Sequence, residues 1–249
     1  MHVLMESGGV PSCLRNGTQY LFWSILGPIL LPSVVRRFLR SAERVETVND
    51  AVGFAYSYAD LGVTITPLQI RSEIQRLVEI VEALNPEGIV EIGTAKGGTL
   101  FMFTRVSSPS ACIISVDLPE WTGAGGYPDW VSPLYSSFGR KGQALHLVRG
   151  DSHDARTFVK VMDLLEGRAV DLLLIDGDHS YEGVKKDFEM YGSLVKQGGM
   201  IAFHDVCPGP ERSVGGAPVF WNELAGRYKN LMIVGDQDQQ GYGIGVLFV

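Results

Sequence analysis

The sequence predicts an α/β protein: a mainly parallel sheet of seven strands, covered by helices, closed at one edge by an antiparallel pair and preceded by a helical extension. Three observations predict it. Seven strand-sized apolar runs follow one another from Gly88 to the end of the chain. Helical stretches separate the early runs, as crossover connections between parallel strands require. The last two runs are divided only by residues 235–243, where no helix fits, so they pair antiparallel. In such doubly wound, Rossmann-like sheets ligands bind outside the carboxyl ends of the strands.

The elements follow in chain order, with residues 1–64 expected as the extension and 65–249 as the main domain. Residues 16–35 carry no charge but are interrupted by Gly27, Pro28 and Pro32, and the strongly apolar part is shorter than the ~20 residues of a spanning helix. Arg36, Arg37, Arg40 and Arg44 follow. Residues 20–44 therefore read as a helix packed on the domain or on a second subunit of a homo-oligomer, with an interfacial segment on an anionic membrane as the alternative. Glu6 and a lone Arg15 make a poor start for a signal peptide.

Leu68, Ile70, Ile74, Leu77, Val78 and Val81 recur at helical spacing, predicting a helix over 67–84 with Thr66 as its N-cap. Strands are expected at the apolar runs that begin at Gly88, Cys112, Leu145, Val170, Met200, Leu231 and Ile244, with helices over 99–105, 155–165 and 181–194. Two insertions follow strand ends and are candidate walls or lids. One, residues 119–142, is rich in glycine and aromatics (Trp121, Tyr127, Trp130, Tyr135, Phe138); the other, residues 207–218, is rich in glycine and proline.

Among 249 residues the net charge is −7, which argues against a general affinity for nucleic acid and for a small-molecule substrate. Cys13, Cys112 and Cys207 are too few and too scattered for a disulfide framework or a zinc cluster, and imply a reducing, cytoplasmic location.

Glu91-Ile-Gly-Thr-Ala-Lys-Gly ends a strand and opens a helix, giving a tight turn with free amides at a helix N-terminus. Counting from Gly93, Ala95 stands where a dinucleotide-binding turn wants its second glycine, so a cofactor without pyrophosphate is preferred. Asp117, before Leu118, ends the second strand at the place of a ribose-gripping acid, and Gly150-Asp151-Ser152 ends the third with groups suited to an adenine edge. After the most apolar strand come Asp176, Asp178 and His179, and after the next His204 and Asp205; acids and imidazoles on adjacent strand ends suit a divalent cation such as magnesium. His153 reads as cofactor wall or solvent-facing loop, and His146 as structural.

Together these motifs resemble the class I S-adenosylmethionine-dependent methyltransferases over roughly residues 65–249. The stretch from Leu174 to Phe188, the run Gly198-Gly-Met-Ile-Ala-Phe-His-Asp and Val219-Phe-Trp-Asn-Glu-Leu are similar to a bacterial subgroup that includes sugar and natural-product O-methyltransferases. The resemblance implies S-adenosylmethionine as cofactor, with Glu91, Gly93, Thr94 and Gly97 toward its methionine part, Asp117 and Leu118 at the ribose, Asp151 and Ser152 at the adenine, and Asp176 beside it. Catechol-type O-methyltransferases imply further roles: Asp176, His204 and Asp205 as metal ligands and His179 as general base, with Asp176 also in the catalytic set. The chain departs from that pattern, with His204 where the family usually has Asp and His179 where it has Lys. Imidazole at the first place favours a different metal, or none.

The implied activity is methyl transfer to the hydroxyl of a sugar or phenolic natural product. Hydroxylase-like or other redox chemistry on the same fold, and a non-catalytic, membrane-associated cofactor-binding protein, are the competing readings.

Overall fold

The computed structural model describes residues 12–119, 125–236 and 238–249, and the side chains among these except at 12–25 and 28. Trp121 and Glu6 lie outside the described residues.

The extension comprises α1 (Ser12–Ala42), α2 (Val48–Ser57) and a two-stranded ribbon of β1 (Ala59–Asp60) and β2 (Val63–Thr64). In line with the helix expected over 20–44, α1 continues through Gly27, Pro28 and Pro32. Each internal proline removes a backbone hydrogen bond, but the carboxyl half of α1 buries Leu31, Val34, Phe38 and Ala42 in the main core, and that packing offsets the loss. Among the described residues no helix is long and apolar enough to cross a membrane. A capping box between Thr47 and Asp50 starts α2.

The main domain runs α3 (Arg71–Leu84), β3 (Gly88–Ile92), α4 (Gly98–Val106), β4 (Cys112–Asp117), α5 (Ser132–Ser136), β5 (Ala144–Arg149), α6 (Ala155–Leu165), β6 (Val170–Ile175), α7 (Tyr181–Tyr191), β7 (Val195–His204), α8 (Glu211–Val214), α9 (Ala217–Ala225), β8 (Lys229–Ile233) and β9 (Ile244–Phe248). The seven-stranded sheet has the order β5-β4-β3-β6-β7-β9-β8. Strands β5 through β7 are parallel, and β9 is antiparallel to both β7 and β8. Every residue of β3, β4 and β6 is buried, as strands covered on both faces must be. Asp154 caps α6 by accepting from the Arg156 amide, and Ser180 caps α7 by accepting from that of Gly183.

Helix α3 begins at Arg71, four residues after the predicted start, and its N-cap is Ile70 rather than Thr66. The apolar spacing misled because Ile65 is buried and Leu68 exposed outside any helix. Glu73, wholly buried on α3, accepts from the amides of Gly235 (2.9 Å) and Gly243 (2.9 Å) and from Gln239 Nε2 (2.7 Å), which pins the connection between β8 and β9.

The described aromatic residues of the first insertion do not form an open wall. Tyr127, Tyr135 and Phe138 are buried, and Phe138 packs on Phe38 of α1 at 5.0 Å and on Phe101 of α4 at 5.5 Å between ring centroids. Phe38 also meets Phe54, Tyr58 and Phe101 edge-on. Phe38→Ala is therefore expected to cost about 3–5 kcal/mol in chemical denaturation; a loss under ~1 kcal/mol would show that α1 is not part of the core.

Candidate functional site

A cavity of about 1390 Å³ opens along the carboxyl ends of β3 to β7. Its floor is the turn after β3. Gly93 has φ +95°, and a Cβ there would lie 2.0 Å from the Asp176 carbonyl oxygen; Gly97 has φ +77°, and a Cβ would meet the rings of Tyr135 and Phe138. Both positions thus need glycine for conformation and for space. From behind, Tyr135 donates its hydroxyl to the Ala95 carbonyl oxygen at 3.1 Å, so the insertion props the turn.

Asp117 closes the turn from the next strand. Its Oδ2 accepts from the amides of Thr94 (3.0 Å) and Ala95 (2.8 Å), and its Oδ1 from that of Leu118 (2.7 Å). Burial raises its carboxyl above the usual range, and these amides work against the rise. Gly93, Thr94, Asp117, Leu118, Asp151, Ser152 and Asp176 all line the cavity.

Glu91 and Gly97 are not among its lining residues, which corrects the expectation that they face the cofactor. Gly97 is turned back against Tyr135 and Phe138. Glu91 points into the interior of the sheet, wholly buried, and accepts from the Ser115 hydroxyl. Burial raises its carboxyl to about 8, so it is largely protonated at neutral pH.

A carboxyl that ionises near 4.5 when unfolded and near 8 when folded binds more protons in the native state across that window. It therefore lowers stability progressively as pH rises from 4.5 to 8. Glu91→Gln is expected to melt above the wild type at pH 8, with the gap closing toward pH 4.5; a gap constant with pH would refute the buried neutral acid.

At the other end of the cavity, β6 and β7 deliver two imidazole–carboxylate pairs. His204 Nδ1 lies 2.9 Å from Asp176 Oδ1 and 3.6 Å from Asp205 Oδ2, and His179 Nδ1 lies 3.1 Å from Asp205 Oδ2. Burial opposes charge on His204, but Asp176, Asp205 and Glu73 outweigh it and raise the imidazole to about 9. The hydrogen bond that His179 donates to Asp205 is the main cause that raises the imidazole above its ordinary value. Burial would raise Asp205, yet His179, His204 and the Tyr242 amide bring it below the usual range. The backbone carbonyl of His179 is anchored by the amides of Gly216 (2.8 Å) and Ala217 (3.2 Å).

The oxygens of Asp176 and Asp205 face Gln69 Nε2, His204 Nδ1, His179 Nδ1 and the Tyr242 amide, while the buried Nε2 of His204 makes no hydrogen bond. Among the described residues no three acid, imidazole or thiol side chains are arranged to hold a metal.

Other polar side chains fall as follows. His153 lines the cavity, with Nε2 3.2 Å from the buried Asp187. Asp178 accepts from the Ser180 amide (2.8 Å) in the turn before α7. Of the second insertion, Pro210 to Gly216 line the cavity, as a wall should.

Two residues of the site escaped the sequence reading. Gln69, buried, donates to Asp176 Oδ2 and accepts from Thr99 at 3.4 Å; it was hidden inside the helix predicted over 67–84. Tyr242 has φ +57° between Gly241 (φ +83°) and Gly243 (φ +78°), and its amide donates to Asp205 Oδ1 at 3.1 Å. A non-glycine residue held there costs of order 1–3 kcal/mol, the kind of strain that gathers at functional sites. The Gly-Tyr-Gly triplet between two strands was the available signal.

Comparisons with known proteins agree with this architecture. Residues 90–206 match a family model described as a methyltransferase domain. An uncharacterized protein of Sinorhizobium fredii is 30% identical over 174 residues, which cover 68% of this chain and 18% of that protein, so the chain spans under a fifth of this relative's length. A structure from Staphylococcus aureus, provisionally assigned as a caffeoyl-CoA O-methyltransferase, superposes with TM-score 0.56 at 16% identity, covering 86% of this chain and 98% of its own. The O-methyltransferase from Bacillus cereus, solved with S-adenosylhomocysteine, gives TM-score 0.50 at 16% identity over 91% and 96%. Residues 90–206 thus match a methyltransferase-domain model, and the chain has the class I, S-adenosylmethionine-dependent methyltransferase fold.

Proposed function

We propose that the protein transfers the methyl group of S-adenosylmethionine to a hydroxyl of a small molecule. One observation carries this reading: a single cavity joins the glycine turn at Gly93 and Thr94, the acid Asp117 and the Asp151-Ser152 loop to the His179–Asp205 pair. In this reading the amides and small residues of the turn receive the methionine part, Asp117 the ribose and Asp151-Ser152 the adenine. The sulfonium methyl then faces His179.

The step is an in-line displacement: the acceptor oxygen forms a bond to the methyl carbon as the carbon–sulfur bond breaks, leaving S-adenosylhomocysteine. Proximity supplies much of the rate. His179, its Nδ1 held by Asp205, takes the hydroxyl proton on Nε2. Asp176, fixed by His204 and Gln69, shapes the floor between cofactor and acceptor. No step is routed through magnesium, whose ligands by the catechol-type resemblance would be Asp176, His204 and Asp205.

Calorimetry with S-adenosylhomocysteine tests the reading. Binding at micromolar affinity, weakened by Asp117→Ala, supports it. No binding of that nucleoside, together with tight binding of NAD, would transfer the site to redox chemistry.

A further inference from the structure

Strands β4 and β5 pair in parallel with Asp117 opposite Arg149, so an arginine ends the strand next to the one that ends in the acid assigned to the ribose. Arg149 is not among the residues that line the cavity. Its Nη2 donates to the carbonyl oxygens of Pro119 and Tyr127, and its guanidinium carbon lies 3.6 Å from the centroid of the Tyr127 ring. The exposed Asp129 adds a contact at 3.2 Å. Nε and Nη1 are buried and make no hydrogen bond among the described residues. The ring face and the two carbonyls therefore fix where the group sits.

Those carbonyls belong to the described flanks of the first insertion. Leu118, just before one, and Gly125 and Gly126, just before the other, line the cavity. A Cβ on Gly125 would come within 3.8 Å of Asp117 Oδ1, and the Gly126 amide is one of the donors that counter the burial of Asp117. Gly125 has φ +120° and Gly126 φ +85°. Glycine has the most backbone freedom to lose, and where such a pair is not held in advance, that loss is charged to ligand binding. Tyr127, held under the guanidinium, packs in turn on Tyr135 at 4.8 Å between ring centroids, and Tyr135 props the glycine turn through Ala95.

We propose that Arg149 is a positioning residue of the cofactor site: by clasping Pro119 and Tyr127 it holds Gly125 and Gly126 against Asp117, so that the ribose acid is enclosed before the nucleoside arrives. This rests on the methyltransferase reading above and adds to it a residue that acts on the cofactor only through others. The planar guanidinium suits the task because it lies flat on the Tyr127 ring while its edge donates to the carbonyls.

Calorimetry on the full chain with S-adenosylhomocysteine tests this as a double-mutant cycle with Asp117→Ala. Arg149→Gln is expected to weaken binding about tenfold, the effect of ordering roughly one loop residue at binding instead of beforehand. In Asp117→Ala, where the acid is already gone, adding Arg149→Gln should weaken binding by less than about twofold more. A residue that only stabilised the fold would act equally in both backgrounds. Arg149→Lys, which keeps the charge and the reach to the carbonyls, takes its place in the cycle if Arg149→Gln folds poorly. Equal losses in the two backgrounds, unchanged affinity in a folded Arg149 variant, or failure of both variants to fold overturns the proposal. Each of these leaves the methyltransferase reading standing as long as the wild type binds the nucleoside, whereas no binding to the wild type removes both.

Discussion

Gly93→Ala is expected to abolish cofactor binding and to destabilise the fold. The new Cβ would lie 2.0 Å from the carbonyl oxygen and 2.6 Å from the carbonyl carbon of Asp176, both backbone atoms at the end of β6 that cannot rotate aside. The φ of +95° adds a conformational penalty that alanine cannot avoid. Overpacking and backbone strain together should cost roughly 3–5 kcal/mol, lowering the melting temperature by on the order of 10 °C for a chain of this size. Either the turn opens or β6 slides, and both displace the amides of Thr94 and Ala95 from Asp117. Calorimetry should show affinity for S-adenosylhomocysteine reduced at least a hundredfold. A well-folded variant that binds the nucleoside like the wild type would remove this turn from the cofactor site.

His179→Ala should lower kcat by about 10²–10⁴-fold, the usual contribution of a positioned base, while S-adenosylhomocysteine affinity stays within about twofold. The pH profile discriminates a base from a wall residue. Asp205 raises His179 above its ordinary value, so the proton-free imidazole, and with it the rate, grows as pH rises through that raised value. Asp205→Asn removes the partner and should move the rising limb toward lower pH. A limb that stays in place in Asp205→Asn, or a kcat unchanged in His179→Ala, would assign proton removal elsewhere.

The candidate site was legible where chemistry sits at strand ends. Asp176, His179, His204 and Asp205 are far apart in the chain but follow two long apolar runs, and parallel pairing of β6 with β7 brings them to one edge. Asp117 and Gly93 were legible for the same reason. Glu91 was misplaced because a motif specifies a position in the chain and not the direction of the pleat; at the last but one residue of β3 the carboxylate turns inward to Ser115. Gln69 and Tyr242 were missed because loop conformation, not hydrophobic period, brings them in. The helix expected over 20–44 was legible from its apolar residues, and burial of its later turns in the core offsets the hydrogen bonds lost at Pro28 and Pro32.

The ring stack under the glycine turn has a practical corollary. Phe101 belongs to the helix springing from that turn and Phe138 to the segment propping it, yet both lean on Phe38, far upstream of the stretch that matches the family model. Excising residues 90–206 as a minimal catalytic fragment would bare two phenylalanines to water and unseat the nucleotide cradle. Any shortened version for biochemistry should keep the chain from at least Leu31 onward, the first buried core side chain of that amino-terminal brace among the described residues.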